Sequence, residues 1–269
     1  MQQAIAVLDS GVGGLTVVRE LMRQLPQEKV IYFGDTARSP YGPRPAEEVR
    51  IFTRQIVDYL FQFDPKMIVI ACNTATAVAI DDIRTHVPIP VLGVISPGAR
   101  AAIKSTKSGI VGVIGTEGTI RSMAYEQALR TISPGIQVYS EACPLLAPFV
   151  EKGLFDAEEA NAVVEQSLRP LVGKPIDCLI LGCTHYPFLT DSISRVMGTE
   201  VTLISSADET AQEISTILSH RGMLAASGVM PIHQFFCSGD PELFKQIAQS
   251  WLRELISIRP VVWQVPNII

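Results

Sequence analysis

Leu179-Ile180-Leu181-Gly182-Cys183-Thr184-His185-Tyr186-Pro187 and Met67-Ile68-Val69-Ile70-Ala71-Cys72-Asn73-Thr74-Ala75-Thr76 follow one pattern. An apolar run meets a small residue, then a cysteine, then short polar residues. Each stretch reads as a buried parallel strand that ends in a loop and opens a helix. That reading places each cysteine at a strand's carboxyl end, before a helix N-terminus. Open α/β sheets carry their sites at that end. The partial positive charge of a helix start also favours a thiolate. The two loops therefore offer one activated thiol each.

The same strand, loop and helix unit recurs outward from both stretches. Ala4 to Leu8 is an apolar strand, followed by Asp9-Ser10-Gly11-Val12-Gly13-Gly14-Leu15-Thr16 and a helix to about Leu25. Its glycines permit close backbone approach, and its helix start suits an anion. The loop has neither the Gly-Lys-Ser/Thr of a Walker loop nor the glycine spacing of a dinucleotide site. Val30 to Phe33 is the next strand. It enters Gly34-Asp35-Thr36-Ala37-Arg38-Ser39-Pro40-Tyr41-Gly42-Pro43, a run of turn formers read as a binding loop. Val49, Phe52, Ile56, Tyr59, Leu60 and Phe63 then repeat at helical spacing and mark a core face.

A second series repeats that order. Ile110 to Ile114 is a strand, followed by Gly115-Thr116-Glu117-Gly118-Thr119 and a helix. Ile136 to Tyr139, a helix from Ala157 to Leu168 and the Cys183 strand come after it. Asp9 and Cys72 are 63 residues apart, and Thr116 and Cys183 are 67 apart. Matching order at matching distance indicates an internal pseudo-repeat. The expected fold is α/β, with two pseudo-symmetric doubly wound domains of mostly parallel sheet and the site in the cleft between them. Residues 1–96 with 208–269 are expected to form a first, discontinuous domain, and 97–207 the second. The tail is read as a helix to Ser219, a strand His233 to Cys237, a helix Leu243 to Ile256 capped by Asp240, and a strand Val261 to Val265.

Composition narrows the class. Hydrophobic residues make up 47% and charged residues 18%, which fits strands buried on both faces. No apolar run approaches the ~18 residues of a membrane span, and no signal-peptide pattern precedes Asp9. The net charge of −5, without a run of Lys or Arg, makes nucleic acid an unexpected partner. Five cysteines without framework spacing point to a reducing, cytoplasmic setting. No C-x-x-C or His/Cys quartet suggests a metal, and no cofactor is expected.

Cys143, Cys178 and Cys237 read as core packing, the common fate of a free cysteine. For Cys72 and Cys183 a second reading explains why there are two similar loops. Inverting a stereocentre by proton exchange needs a base on one face of a carbon acid and an acid on the other. One thiol per half meets that need, and thiol ionisation is widely tunable. Asp9 could reach Cys72, and His185 could polarise Cys183. Asn73, Thr74 and Thr184 can cap a helix or hold a carboxylate. A Cys–His hydrolase is the rival enzyme reading, but it leaves one cysteine loop unused and pairs two residues of one loop. A non-catalytic α/β amino-acid-binding protein is the rival of another class.

Taken together, the Asp9–Gly14, Gly34–Gly42, Ala71–Thr76 and Leu181–Pro187 motifs resemble the glutamate racemase family in identity and order. The resemblance spans nearly the whole chain. It implies a cofactor-independent racemase that interconverts L- and D-glutamate and supplies D-glutamate for peptidoglycan. By analogy, Cys72 serves the D face and Cys183 the L face, assisted by Asp9 and His185. Ser10, Tyr41, Gly42, Asn73, Thr74 and Thr184 match substrate-contacting positions of the family, and Thr116 and Thr119 are expected contacts. Glu151 matches a carboxylate near His185; read alone, it is a solvated charge at a helix end. A homodimer is the expected assembly. The first strand starts so early that activation through an N-terminal extension is not expected. Aspartate racemase, or a related two-cysteine isomerase, is the alternative.

Overall fold

A computed structural model describes residues 3–153, 157–226, 228, 231–252 and 258–260. The first half alternates β1 Ile5–Asp9, α1 Leu15–Gln24, β2 Val30–Gly34, α2 Ala46–Phe61, β3 Met67–Ile70, α3 Asn73–His86, β4 Val91–Gly93 and α4 Ile95–Ser105. The second continues with β5 Ile110–Gly115, α5 Glu117–Arg121, α6 Ala124–Ile132, β6 Gln137–Ala142, α7 Leu146–Glu151, α8 Ala157–Leu168 and β7 Cys178–Gly182. A 3-10 turn, Tyr186–Leu189, precedes α9 Thr190–Met197, β8 Thr202–Ile204 and α10 Ser206–His220. The chain then runs through β9 Gln234–Cys237, α11 Pro241–Leu252 and β10 Ile258–Pro260. The expected strand Val261 to Val265, and the end of the helix expected to reach Ile256, lie outside the described residues. Asp240 Oδ1 caps α11, accepting from the Glu242 and Leu243 N–H groups at 2.9 and 3.3 Å.

Two parallel sheets result. One has the order β10-β9-β2-β1-β3-β4 and the other β6-β5-β7-β8. Within the first, β2-β1-β3-β4 repeats the order β6-β5-β7-β8 of the second. The pseudo-repeat is therefore topological, with Cys72 after β3 and Cys183 after β7. Strands β9 and β10 return to extend the first sheet beside β2. Every residue of β1, β2, β3 and β7 is buried. A parallel strand covered by helices on both faces requires that, and it explains the unbroken apolar runs. Helix α4 buries Ile95, Ala99 and Ala102 against the second sheet, and α10 packs against both α1 and α4.

One buried ion pair closes the end of the first sheet away from the thiols. Lys66, just before β3, meets Glu28, just before β2, at 2.5 Å, with both side chains almost fully enclosed. Lys66 Nζ also donates to the Met223 carbonyl at 2.6 Å, and Glu28 Oε1 accepts from the Ala225 N–H at 2.7 Å. The pair thus fastens the segment after α10 to the sheet. Lys66→Met strands the Glu28 carboxylate and should cost about 3–5 kcal/mol. Equilibrium urea unfolding measures this, and an unchanged midpoint would show the pair to be dispensable.

Candidate active site

Cys72 is the N-cap of α3, and its sulfur accepts from the Ala75 N–H at 3.4 Å. The thiol also donates to Ser10 Oγ at 3.6 Å. Burial, then the nearby Asp9 charge, push its pKa up to about 12, outweighing the hydrogen bonds made with Ala75 and Ser10. The resting group is a neutral thiol. Here the helix start does not produce the thiolate that the sequence suggests, because desolvation is the larger effect.

Cys183 departs from the expected helix start in a different way. The residues after it form the 3-10 turn, with Tyr186 N–H bonded to the Cys183 carbonyl at 3.1 Å. Pro187 has no N–H to make the α-helical bond to that carbonyl, so α9 begins only at Thr190. The thiol instead meets His185 Nδ1 at 3.5 Å. His185 Nε2 lies 2.5 Å from Glu151 Oε1. Burial opposes protonation of the ring, yet the charges of Cys183 and Glu151 hold its pKa well above the ordinary value. The Cys183–His185–Glu151 chain therefore favours a protonated His185 imidazolium beside the Cys183 sulfur. Glu151 is not a solvated charge. It ends α7 against the glycine loop, accepting from the Val12 N–H at 3.1 Å and from Ser39 Oγ at 3.3 Å. The same-loop Cys–His pairing counted against a hydrolase does form. The feature that sets this site apart is the second thiol.

The glycine loop makes close approach possible. A Cβ at Gly11 would fall 1.8 Å from Glu151 Oε1, and one at Gly13 would fall 2.4 Å from Thr184 Oγ1. Only glycine lets the turn after β1 lie against the chain that serves Cys183. Asp9 is fully buried behind it. Its oxygens accept from the Gly11 N–H and the Thr184 hydroxyl, each at 3.0 Å. Burial raises its pKa despite the His185 charge and these hydrogen bonds.

Ser10, Tyr41, Gly42, Cys72, Asn73, Thr74, Thr116, Cys183, Thr184 and His185 line one cavity, together with Pro40 and Ala147. Asp9, Glu151 and Thr119 support its walls. Thr119 joins Thr74 and Thr116 in a triangle of hydroxyls spaced 2.8–3.2 Å apart. The Tyr41 phenol donates to Asp35, which also accepts from Ser238 at 2.7 Å and pairs with Arg38 at 2.6 Å. The Tyr41 hydroxyl is thereby committed away from the cavity. The Gly42 carbonyl accepts from the Gly118 N–H at 2.9 Å, closing the two sheet layers over the site. The remaining cavity volume, about 10 Å³, is room for roughly one water molecule. A larger groove of about 390 Å³ past Arg19, Phe188 and Trp251 contains neither thiol. Tyr125, which the motifs do not flag, also supports the site: its phenol donates to Asn73 Oδ1 at 2.6 Å. Among the described residues no group of three or more His, Cys, Asp or Glu side chains is placed to hold a metal.

Two thiols from two pseudo-repeated parallel sheets, lining one closed polar cavity, define a paired-cysteine α/β enzyme. Residues 5–214 match the Asp/Glu/hydantoin racemase family. The glutamate racemase of Oceanobacillus iheyensis is 57% identical over 94% of this chain and 93% of its own. Glutamate racemase isoform RacE1 of Bacillus anthracis superposes with a TM-score of 0.94 at 51% identity, covering 98% of this chain and 99% of that one. The Francisella tularensis glutamate racemase, solved with D-glutamate, gives 0.89 at 33% identity, with 98% of each chain covered. The chain belongs to the Asp/Glu/hydantoin racemase family and, within it, to the glutamate racemases.

Proposed function

We propose that this racemase interconverts L- and D-glutamate by carrying the Cα proton between Cys183 and Cys72. The observation that carries this reading is the pair of thiols lining one cavity, Cys72 beside Ser10 and the α3 start, Cys183 beside His185. Substrate enters when the two layers part, since the closed cavity is far too small for an amino acid. L-Glutamate presents its Cα–H to the Cys183 thiolate. The proton moves to that sulfur, and the electron pair delocalises towards the α-carboxylate. The Asn73 amide and the backbone N–H groups around Asn73, Thr74 and Thr184 offer fixed donors to that charge, and excluding water strengthens them. The Cys72 S–H bond then gives its proton to the opposite face of Cα. D-Glutamate leaves with Cys183 protonated and Cys72 ionised, and the reverse reaction exchanges the two roles. Assigning Cys183 to the L face follows the family resemblance. Asp9 backs the Cys72 side and fixes Thr184.

The D-glutamate so made would serve peptidoglycan synthesis in the cytoplasm, as the resemblance implies. No helix among the described residues is long and apolar enough to cross a membrane. A homodimer is the assembly we expect, and sedimentation equilibrium checks it. The decisive test uses purified protein, L-glutamate and D₂O, without added cofactor. We expect optical rotation to decay to zero as deuterium enters Cα. Rotation that holds steady while glutamate binds would refute the reading. Aspartate is the competing substrate, because one methylene is worth only about 1–3 kcal/mol. A faster rate on aspartate would reassign the specificity.

A further inference from the structure

Asn73 follows Cys72 directly and lines the cavity. Its amide Oδ1 accepts from the Tyr125 phenol at 2.6 Å. Its Nδ2 is buried and has no hydrogen-bond partner among the described residues. A buried donor left unpaired is costly unless something arrives to use it. An amide is also two-faced, with a donor on one side and an acceptor on the other. A substrate carboxylate only accepts, so only one of the two amide orientations can bind it.

Tyr125 lies on α6 and is fully enclosed. Its ring packs against Gly182, the residue before Cys183, where a Cβ would fall 3.0 Å from Cε2. It also packs near Gly98 of α4. One side chain therefore touches the residue before one thiol and the residue after the other. Ser206, at the start of α10, lies beside the phenol: a Cβ on Gly98 would fall 3.1 Å from Ser206 Cβ and 3.2 Å from the Tyr125 hydroxyl. Burial raises the phenol's pKa, so the proton is retained. Asn73 Oδ1 can only accept, so the phenol's own hydrogen is directed to it, and the phenol oxygen is left to accept from the neighbouring Ser206 hydroxyl. The order of donation then runs from Ser206 to Tyr125 to Asn73 Oδ1.

We infer that Tyr125 is a positioning residue that locks the Asn73 amide with its N–H₂ facing the cavity, as a donor for the substrate carboxylate. The inference rests on reading Asn73 as a substrate contact. Ser206 sets the direction of the lock from the segment that leads back to the first sheet. Tyr125 itself touches no reacting atom.

The test is a set of full-length variants assayed for kcat, KM and thermal midpoint. Tyr125→Phe keeps the ring and deletes the lock. It should lower kcat/KM by about threefold to tenfold, the size of one neutral hydrogen bond. Asn73→Asp puts an oxygen where the donor was and should lose more. Asn73→Ala should lose activity, and adding Tyr125→Phe to it should cost nothing further, because no amide is left to orient. Ser206→Ala should show a smaller loss that vanishes in the Tyr125→Phe background. Losses that add in the double variant would mean that Tyr125 acts by packing alone, which overturns the inference. So would full activity in Tyr125→Phe beside an impaired Asn73→Ala. A fully active Asn73→Ala would instead remove Asn73 from the substrate contacts, and the inference with it, leaving the two-thiol chemistry standing. If Tyr125→Phe fails to fold, Ser206→Ala alone and in the Asn73→Ala background decides the matter by the same additivity.

Discussion

Cys72→Ser should lower racemisation by about 10²–10⁴-fold, the usual contribution of one positioned acid or base. The loss must be equal in both directions for kcat/KM, because the two enantiomers are equal in free energy. Exchange without inversion should not be equal. Cys72→Ser retains the Cys183–His185 pair, so L-glutamate should still trade its α-proton for deuterium and return as L-glutamate. D-Glutamate should not exchange. Cys183→Ser should reverse this preference and exchange more slowly, because Cys72 rests as a thiol with its pKa near 12. Proton NMR of the α-position in D₂O, run separately on each enantiomer, reads this directly. Near-normal racemisation in both variants would end the two-thiol mechanism. A swapped exchange pattern would keep the mechanism but reverse the faces.

Glu151→Gln carries the second large effect. The carboxylate supports a protonated His185, which stands 3.5 Å from the Cys183 sulfur. An isosteric amide removes the charge while filling the same space beside Val12 and Ser39. Without the charge, the His185 ring is held less firmly in its protonated form, and the proposed proton acceptor at Cys183 loses the positive neighbour that would favour its ionisation. A hydrogen bond to a charged group is worth about 1.5–3 kcal/mol, so kcat/KM near neutrality should fall roughly 10- to 150-fold. The sign of the pH effect follows. The His185 pKa is raised in the native protein, and the substitution lowers it. Thiolate then forms only as the pH rises enough to take a proton from the pair without imidazolium help. The acid limb of the kcat/KM profile should move to higher pH, with activity partly regained on the alkaline side. A limb that stays in place, or moves to lower pH, would show that Glu151 does not tune the thiol.

Much of this was legible in the chain because it is local. Strands buried on both faces leave unbroken apolar runs, and a cysteine after each of two such runs marks the sheet edge where chemistry gathers. The repeat of order and spacing showed that there are two such edges. The Asp9–Gly14 loop read correctly as a place of close approach, and the anion it meets is the chain's own Glu151 carboxylate. Local pattern failed where one residue changed the hydrogen-bonding rule. Pro187 turns the expected helix after Cys183 into a 3-10 turn, and the thiol finds His185 instead of a helix start.

The sequence by itself therefore determined the fold class, the paired thiols and the neighbours they have along the chain. The tertiary structure alone decided their electrostatic surroundings. Glu151 reaches His185 across 34 residues, Thr184 reaches Asp9 across 175, and Tyr125 reaches Asn73 across 52. Periodicity reports which face of an element is buried, but not which distant polar group shares the enclosed space. Thiol ionisation depends on that shared space, because desolvation and nearby charge act through distance and not through sequence separation.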